Sequence, residues 1–165
     1  MHSVRWYAVN THPHHEKKAL EHLRALQVEA FLPLYQRKKR WRNRTTSMLE
    51  SPLFPGYVFV HIGLESRFTV LNVPSIRSFI ASGGLPVPVP DHDIEMLRTN
   101  LAGRNPEPFP FVKVGERVRV RSGPLHGLEG LLVQRKKRWR LVLSMDVVMR
   151  SVSVEIDAAD VEPIP

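Results

Sequence analysis

Cysteine is absent from the chain, which excludes a disulfide framework, a thiolate metal site and a cysteine nucleophile. No apolar run approaches the roughly 18 residues that a membrane span requires. The opening residues, Met1-His-Ser-Val-Arg-Trp6, contain no signal-peptide core, so the expected location is the cytoplasm. Patterns of catalysis are missing too: there is no phosphate-binding loop, dinucleotide fingerprint, Gly-x-Ser-x-Gly elbow or paired-carboxylate context. The chain reads as a non-enzyme, with no catalytic residue and no cofactor. Asp91, Asp93 and Glu95 are accounted for as acids at a helix start. His15-Glu-Lys-Lys-Ala19 lacks the second histidine of a zincin site, and no metal is expected.

Acidic residues are also missing from two short segments. Residues 37–44 hold six basic side chains and residues 135–140 hold five, with no acid in either. Removing these eleven from the 24 basic residues leaves 13 against 16 acidic ones, a balance of −3. The whole excess of the formal +8 charge therefore lies in two places. Both contain one pentapeptide, Lys38-Lys39-Arg40-Trp41-Arg42 and Lys136-Lys137-Arg138-Trp139-Arg140. A charge run is either a solvated hairpin tip or a polyanion contact. Two copies, each with a Trp that can face a base, favour contact with nucleic acid.

A hydrophobic content of 42% over 165 residues suits one ordinary domain or two small ones. Ser51-Pro-Leu-Phe-Pro-Gly-Tyr-Val-Phe-Val60 organises the first part. Pro55-Gly56 turns the chain, and a strand follows to Ile62. Val58, Val60 and Ile62 face one way, and Tyr57, Phe59 and His61 the other. That reads either as a core strand or, around Phe54 and Tyr57, as a partner-binding patch. Before it come a strand at 4–10 and a helix at 13–27, whose stripe is Ala19, Leu20, Leu23 and Leu26. A strand at 29–36 carries Pro33, which confines it to an edge or bulge. Residues 37–50 read as a long hairpin connection. After the central strand come a short helix at 65–72, a strand at 76–82, an extended proline segment at 86–90 and a helix with Ile94, Leu97 and Leu101. Pro106, Pro108 and Pro110 mark a semi-rigid linker. Beyond it, short valine-rich strands with glycine turns predict a small barrel. The fold class is therefore α+β: an N-terminal α/β sandwich with a mixed, mainly antiparallel sheet and flanking helices (1–103), a proline-rich linker (104–112) and a small SH3-like β-barrel (113–165).

Three signatures stand in order: Arg5-Trp-Tyr-Ala-Val-Asn10, Phe54-Pro-Gly-Tyr-Val-Phe-Val60, and the run from Val114-Gly-Glu-Arg-Val to His126-Gly-Leu-Glu-Gly130. Together they resemble the NusG family of transcription elongation factors, whose N-terminal domain is followed by a KOW barrel. Leu20-Glu-His-Leu23 and Ser51-Pro-Leu-Phe-Pro55 look more like its specialised antiterminator paralogues, such as RfaH. The resemblance implies a monomer that docks on the clamp helices of the largest RNA polymerase subunit and suppresses pausing and termination. The positions matching the docking face are Trp6, Phe54, Tyr57, Phe59, Val87 and Val89. A second polymerase contact, made by specialised members, would fall on Arg67 and Thr69. The non-template DNA strand or nascent RNA would meet His12, His14, His15, Lys17 and Arg77, besides the two basic segments. A small-subunit ribosomal protein or a termination factor would meet the loop Val148-Met149-Arg150. A different reading of the same KOW segment and basic loops is an RNA-binding or ribosome-associated protein that never touches polymerase.

Overall fold

In a computed structural model of the chain, residues 3–111 and 115–165 are described. Met1 and His2, Val112 at the end of the expected linker, and Lys113 and Val114 at the start of the expected barrel lie outside the described residues. The chain divides into two compact units, Met1–Ile94 and Glu95–Pro165. Among the described residues no helix is long and apolar enough to cross a membrane.

The first unit contains β1 (Arg5–Thr11), α1 (Glu16–Ala25), β2 (Glu29–Phe31), β3 (Leu34–Arg40), β4 (Thr46–Pro52), β5 (Tyr57–Ile62), α2 (Arg67–Leu71), β6 (Ile76–Phe79), β7 (Ala81–Ser82), β8 (Leu85–Pro86) and β9 (Pro88–Val89). A further helix, α3 (Asp91–Glu95), runs across the division. The main sheet has the order β2-β5-β1-β6, with β9 also on β1. Each of these pairings is antiparallel. The period of two in β5 divides its side chains as the alternation predicts. Val58, Val60 and Ile62 enter a core with Tyr7 and Val9 of β1, Ala19 and Leu23 of α1, and Val70 and Val73. The i, i+4 spacing of Ala19 and Leu23 puts both on the buried side of α1.

Two expected boundaries move for backbone reasons. Helix α1 begins at Glu16, because His14 takes φ 63° and ends any earlier helical run. The expected strand at 29–36 is interrupted at Leu32-Pro33, and its second half continues as β3 to Arg40. The basic stretch is thus not merely a connection. β3 and β4 form a separate two-stranded ribbon in register from Leu34↔Pro52 to Arg40↔Thr46.

The second unit is a six-stranded antiparallel sheet. Its strands are β10 (Glu107–Phe109), β11 (Glu116–Val120), β12 (Glu129–Arg135), β13 (Arg138–Met145), β14 (Arg150–Glu155) and β15 (Val161–Pro163), in the order β10-β14-β13-β12-β11-β15. Leu141, Val142 and Leu143 are all buried, so both faces of β13 are covered there. Where proline content predicts a linker, Glu107–Phe109 pairs with β14. An edge strand has one side without ladder partners, which is where Pro108, lacking an N–H, is tolerated.

Candidate functional site

The Pro55-Gly56 turn is held from three sides. The Tyr57 N–H donates to the Phe54 carbonyl at 3.1 Å, and Gly56 has φ 87°. Proline and glycine at the two central positions thus make a type II turn. The Gly56 N–H donates to Glu16 Oε2 at 3.2 Å, and the Gly56 carbonyl accepts from Thr11 N–H at 2.9 Å. Glu16 itself is buried at the start of α1. The turn is therefore tied to both the first strand and the first helix.

Beyond the turn, the second face of the sheet is lined with rings. Trp6 and His61, partners across β1 and β5, stack at 4.7 Å with planes 17° apart. His61 Nδ1 lies 2.6 Å from Glu29 Oε1 on β2. Phe59 meets Phe54 edge-on at 5.9 Å and Phe31 at 6.4 Å. Val89 pairs with Trp6 across β9 and β1. The structure thus brings Trp6, Phe54, Phe59 and Val89 to one neighbourhood, but all four are buried. Tyr57 and Val87 are half-buried. At 5% exposure or less, these four side chains serve to position the face, and its accessible area comes from their half-buried neighbours. His61, placed on this face by the strand alternation, and Phe31, which the sequence does not single out, are both half-exposed members of it. Strand alternation alone gives no signal for which β2 residue faces Phe59.

Two of the helix-start residues converge on Ser75, just before β6. The His12 N–H donates to the Ser75 carbonyl at 2.9 Å, and His15 Nδ1 lies 3.2 Å from Ser75 Oγ. The His12 and His15 rings are 5.9 Å apart. Ser75 lies two residues before Arg77, which is exposed on β6. Lys17 Nζ donates to the Glu50 carbonyl at 2.9 Å, which joins α1 to the base of the β3–β4 ribbon. His14 is exposed. Among the described residues no group of three or more His, Asp or Glu side chains is placed to hold a metal ion.

The two pentapeptides adopt different structures. In the first, Lys38, Lys39 and Arg40 end β3, and Trp41 and Arg42 enter the tip. The tip closes through Trp41 N–H to the Thr45 carbonyl and Arg44 N–H to the Trp41 carbonyl, both at 3.0 Å. Asn43 Oδ1 accepts from the Thr45 hydroxyl at 2.6 Å. In the second, Lys136 and Lys137 are the turn itself, at φ 51° and 64°, and Arg138 to Arg140 lie on β13. Arg140 is buried, donates to Ser153 Oγ at 2.7 Å and lies 3.6 Å from Glu107. Arg138 pairs with Glu155 at 3.1 Å. Arg140 thus links β13 to β14 and β10. Trp139 remains 37% exposed, beside an open groove of ≈ 650 Å³ that also includes Glu155 and Asp157.

Elsewhere, Thr69 is exposed and Arg67 half-buried on α2. Between them Phe68 is 62% exposed, with the Arg67 guanidinium 5.0 Å from its ring. Sequence reasoning passes over Phe68, although it lies off the stripe that buries Val70. Val148 is buried, so only Met149 and Arg150 of that loop reach solvent. On the second sheet Arg119 donates to Glu129 at 2.8 Å, and this bond and the carboxylate's charge raise the guanidinium pKa further.

Comparison with known proteins adds a common identity to this geometry. The family model described as "Transcription termination factor nusG" matches residues 4–98. A "Transcription termination/antitermination protein NusG" from Helicobacter pylori strain J99 is 28% identical over 172 residues, which cover 96% of this chain and 98% of that protein. The protein of the same name from Staphylococcus carnosus is 25% identical over 174 residues, 97% of this chain and 96% of its own. A solved structure titled "Domain interaction in Thermotoga maritima NusG" superimposes with a TM-score of 0.60 at 25% identity, covering 99% of this chain and 98% of that one.

Proposed function

Because the chain belongs to the NusG family of transcription termination and antitermination factors, we propose that it docks on the clamp helices of RNA polymerase through its N-terminal sheet and suppresses pausing. The observation that carries this reading is the ring-lined second face of β1 and β5, held at the Pro55-Gly56 turn. Rings already packed against one another supply a docking face at low entropic cost. Trp6, Phe54, Phe59 and Val89 position that face, and Tyr57 and Val87, the half-buried members, make the contact. A second contact comes from α2, through Arg67, Phe68 and Thr69. A factor that touches both sides of the polymerase cleft binds the closed enzyme better than the open one and shifts the population towards it. No covalent step is required.

The helix-start cluster of His12, His14, His15, Lys17 and Arg77 and the β3–β4 ribbon meet exposed nucleic acid at the cleft. Met149 and Arg150 recruit a second protein, a ribosomal protein or a termination factor; an adaptable Met on an exposed turn suits such a partner. Residues 1–103 and 113–165 are the functional domains, and the protein acts as a cytoplasmic monomer. Binding of the full chain to an immobilised clamp-helix segment of a bacterial RNA polymerase tests the central claim. Tyr57→Ala with Val87→Ala is expected to weaken binding by about tenfold or more, with the urea midpoint retained. Failure of the parent chain to bind polymerase from its own source would remove the reading.

A further inference from the structure

The two copies of Lys-Lys-Arg-Trp-Arg serve as controls for each other. Trp41 is 44% exposed at the tip of the β3–β4 ribbon. Its indole Nε1–H donates to Ser47 Oγ at 2.7 Å, so the only polar atom of the ring is satisfied within the ribbon. The Lys39 ammonium sits 4.4 Å from the ring centroid. A ring pinned at its N–H and covered by a cation on one side offers its other face, and that face can take only a flat apolar or π surface. Lys38, Arg40, Arg42 and Arg44 flank it along the chain, all exposed. Among the described residues no ion pair engages these four side chains. The nearest acid along the ribbon, Glu50, is at its base and is bonded to Gln36.

A ligand for this tip must offer a π face and several phosphates at once. Bases in a duplex present their faces only to each other, whereas an unpaired strand presents them freely. We propose that Trp41 is a stacking platform for one unpaired base of a single-stranded nucleic acid, with Arg40, Arg42, Arg44 and Lys38 on the flanking phosphates. This rests on the reading of the ribbon as a nucleic-acid contact and assigns it a strand type and a central residue. The second copy does not duplicate the platform. There Arg140 is spent inside the sheet, Arg138 is on Glu155, and the groove beside Trp139 contains Glu155 and Asp157, which repel phosphate.

The test is titration of the full chain with short labelled oligo(dT), oligo(rU) and a duplex of equal length, by anisotropy at several salt concentrations. The expected order is single strand over duplex, and the tighter of the DNA and RNA arms identifies the strand. Trp41→Leu should weaken single-strand binding by roughly 5- to 150-fold, the range for one stacked base. The log-log salt slope should stay unchanged, since the cations on the phosphates are all still present. Trp41→Phe, which keeps a π face, should retain most of the affinity, and Trp139→Leu all of it. Removing Arg40, Arg42 and Arg44 together should lower the slope by about 0.7 for each phosphate left without its cation. An unchanged affinity for Trp41→Leu beside a lowered slope for the arginine variant would overturn the platform and leave a purely ionic interaction. A duplex bound as tightly as the single strand would overturn it as well. An unchanged slope for the arginine variant would remove nucleic acid from the ribbon altogether.

Discussion

Arg138 and Arg140 are two residues apart and carry the same charge, yet their surroundings on β13 differ. Arg140 is enclosed, with Ser153, Glu107 and Glu155 around its guanidinium, while Arg138 meets Glu155 in solvent. Their removal should therefore differ in cost. Arg140→Ala strips a buried donor from Ser153 and is expected to destabilise the chain by about 2 kcal/mol. Arg138→Ala breaks an exposed pair and should cost less than about 1 kcal/mol. Urea denaturation of both variants measures the difference, and equal costs would show that the Arg140 bonds add nothing. Alternation along a strand puts residues 138 and 140 on one face. It does not say how far along that face the cover extends, because that depends on strands brought in from elsewhere in the chain. The same limit applies to Phe54 and Phe59: their apolar character is evident in the sequence, but their complete burial is not.

At the scale of the element, one pentapeptide makes two different hairpins. In β3–β4 the turn follows the lysines; in β12–β13 the lysines are the turn. A two-residue turn with positive φ at both positions is type I′, which strongly prefers Asn-Gly. Lys136 and Lys137 hold that conformation with a Cβ on each, at a cost in strain. Replacing them with Asn and Gly should raise stability by about 1–2 kcal/mol, as a higher urea midpoint. A lower midpoint would mean that the lysine stems pack against the sheet. The length of the flanking strands decides where each turn falls, through the ladders Arg40↔Thr46 and Arg135↔Arg138. Five residues do not contain that information. The Pro55-Gly56 turn is the opposite case. Its conformation is legible from two residues, because proline presets the first central position and glycine alone relaxes at the second.

For the whole molecule, the formal charge of +8 is less informative than its distribution. Replacing the six cations of residues 37–44 with glutamine would leave a formal +2. Replacing Arg135, Lys136, Lys137, Arg138 and Arg140 would leave +3. Counting charges predicts nearly equal weakening of the attraction to polyanions. The structure predicts otherwise, since Glu155 and Glu107 already offset part of the second cluster. The first variant should elute from heparin at clearly lower salt than the second. Similar elution would mean that the internal ion pairs of the second cluster do not reduce its outward field.

The sequence by itself determined the order of the main strands and helices, the two-faced central strand, the turn at Pro55-Gly56, the segregation of positive charge and the family. Each follows from local rules: the period of two, the spacing of three to four, the φ preferences of proline and glycine, and the identity of short motifs in order. Only the tertiary structure decided which aromatic rings are sealed, which of two identical basic peptides keeps its charges free, and that a proline-rich stretch becomes an edge strand. Those depend on solvent exclusion and on pairing partners distant in the chain. Glu107 reaches Arg140, and Ser75 reaches His15, only after the sheets have formed.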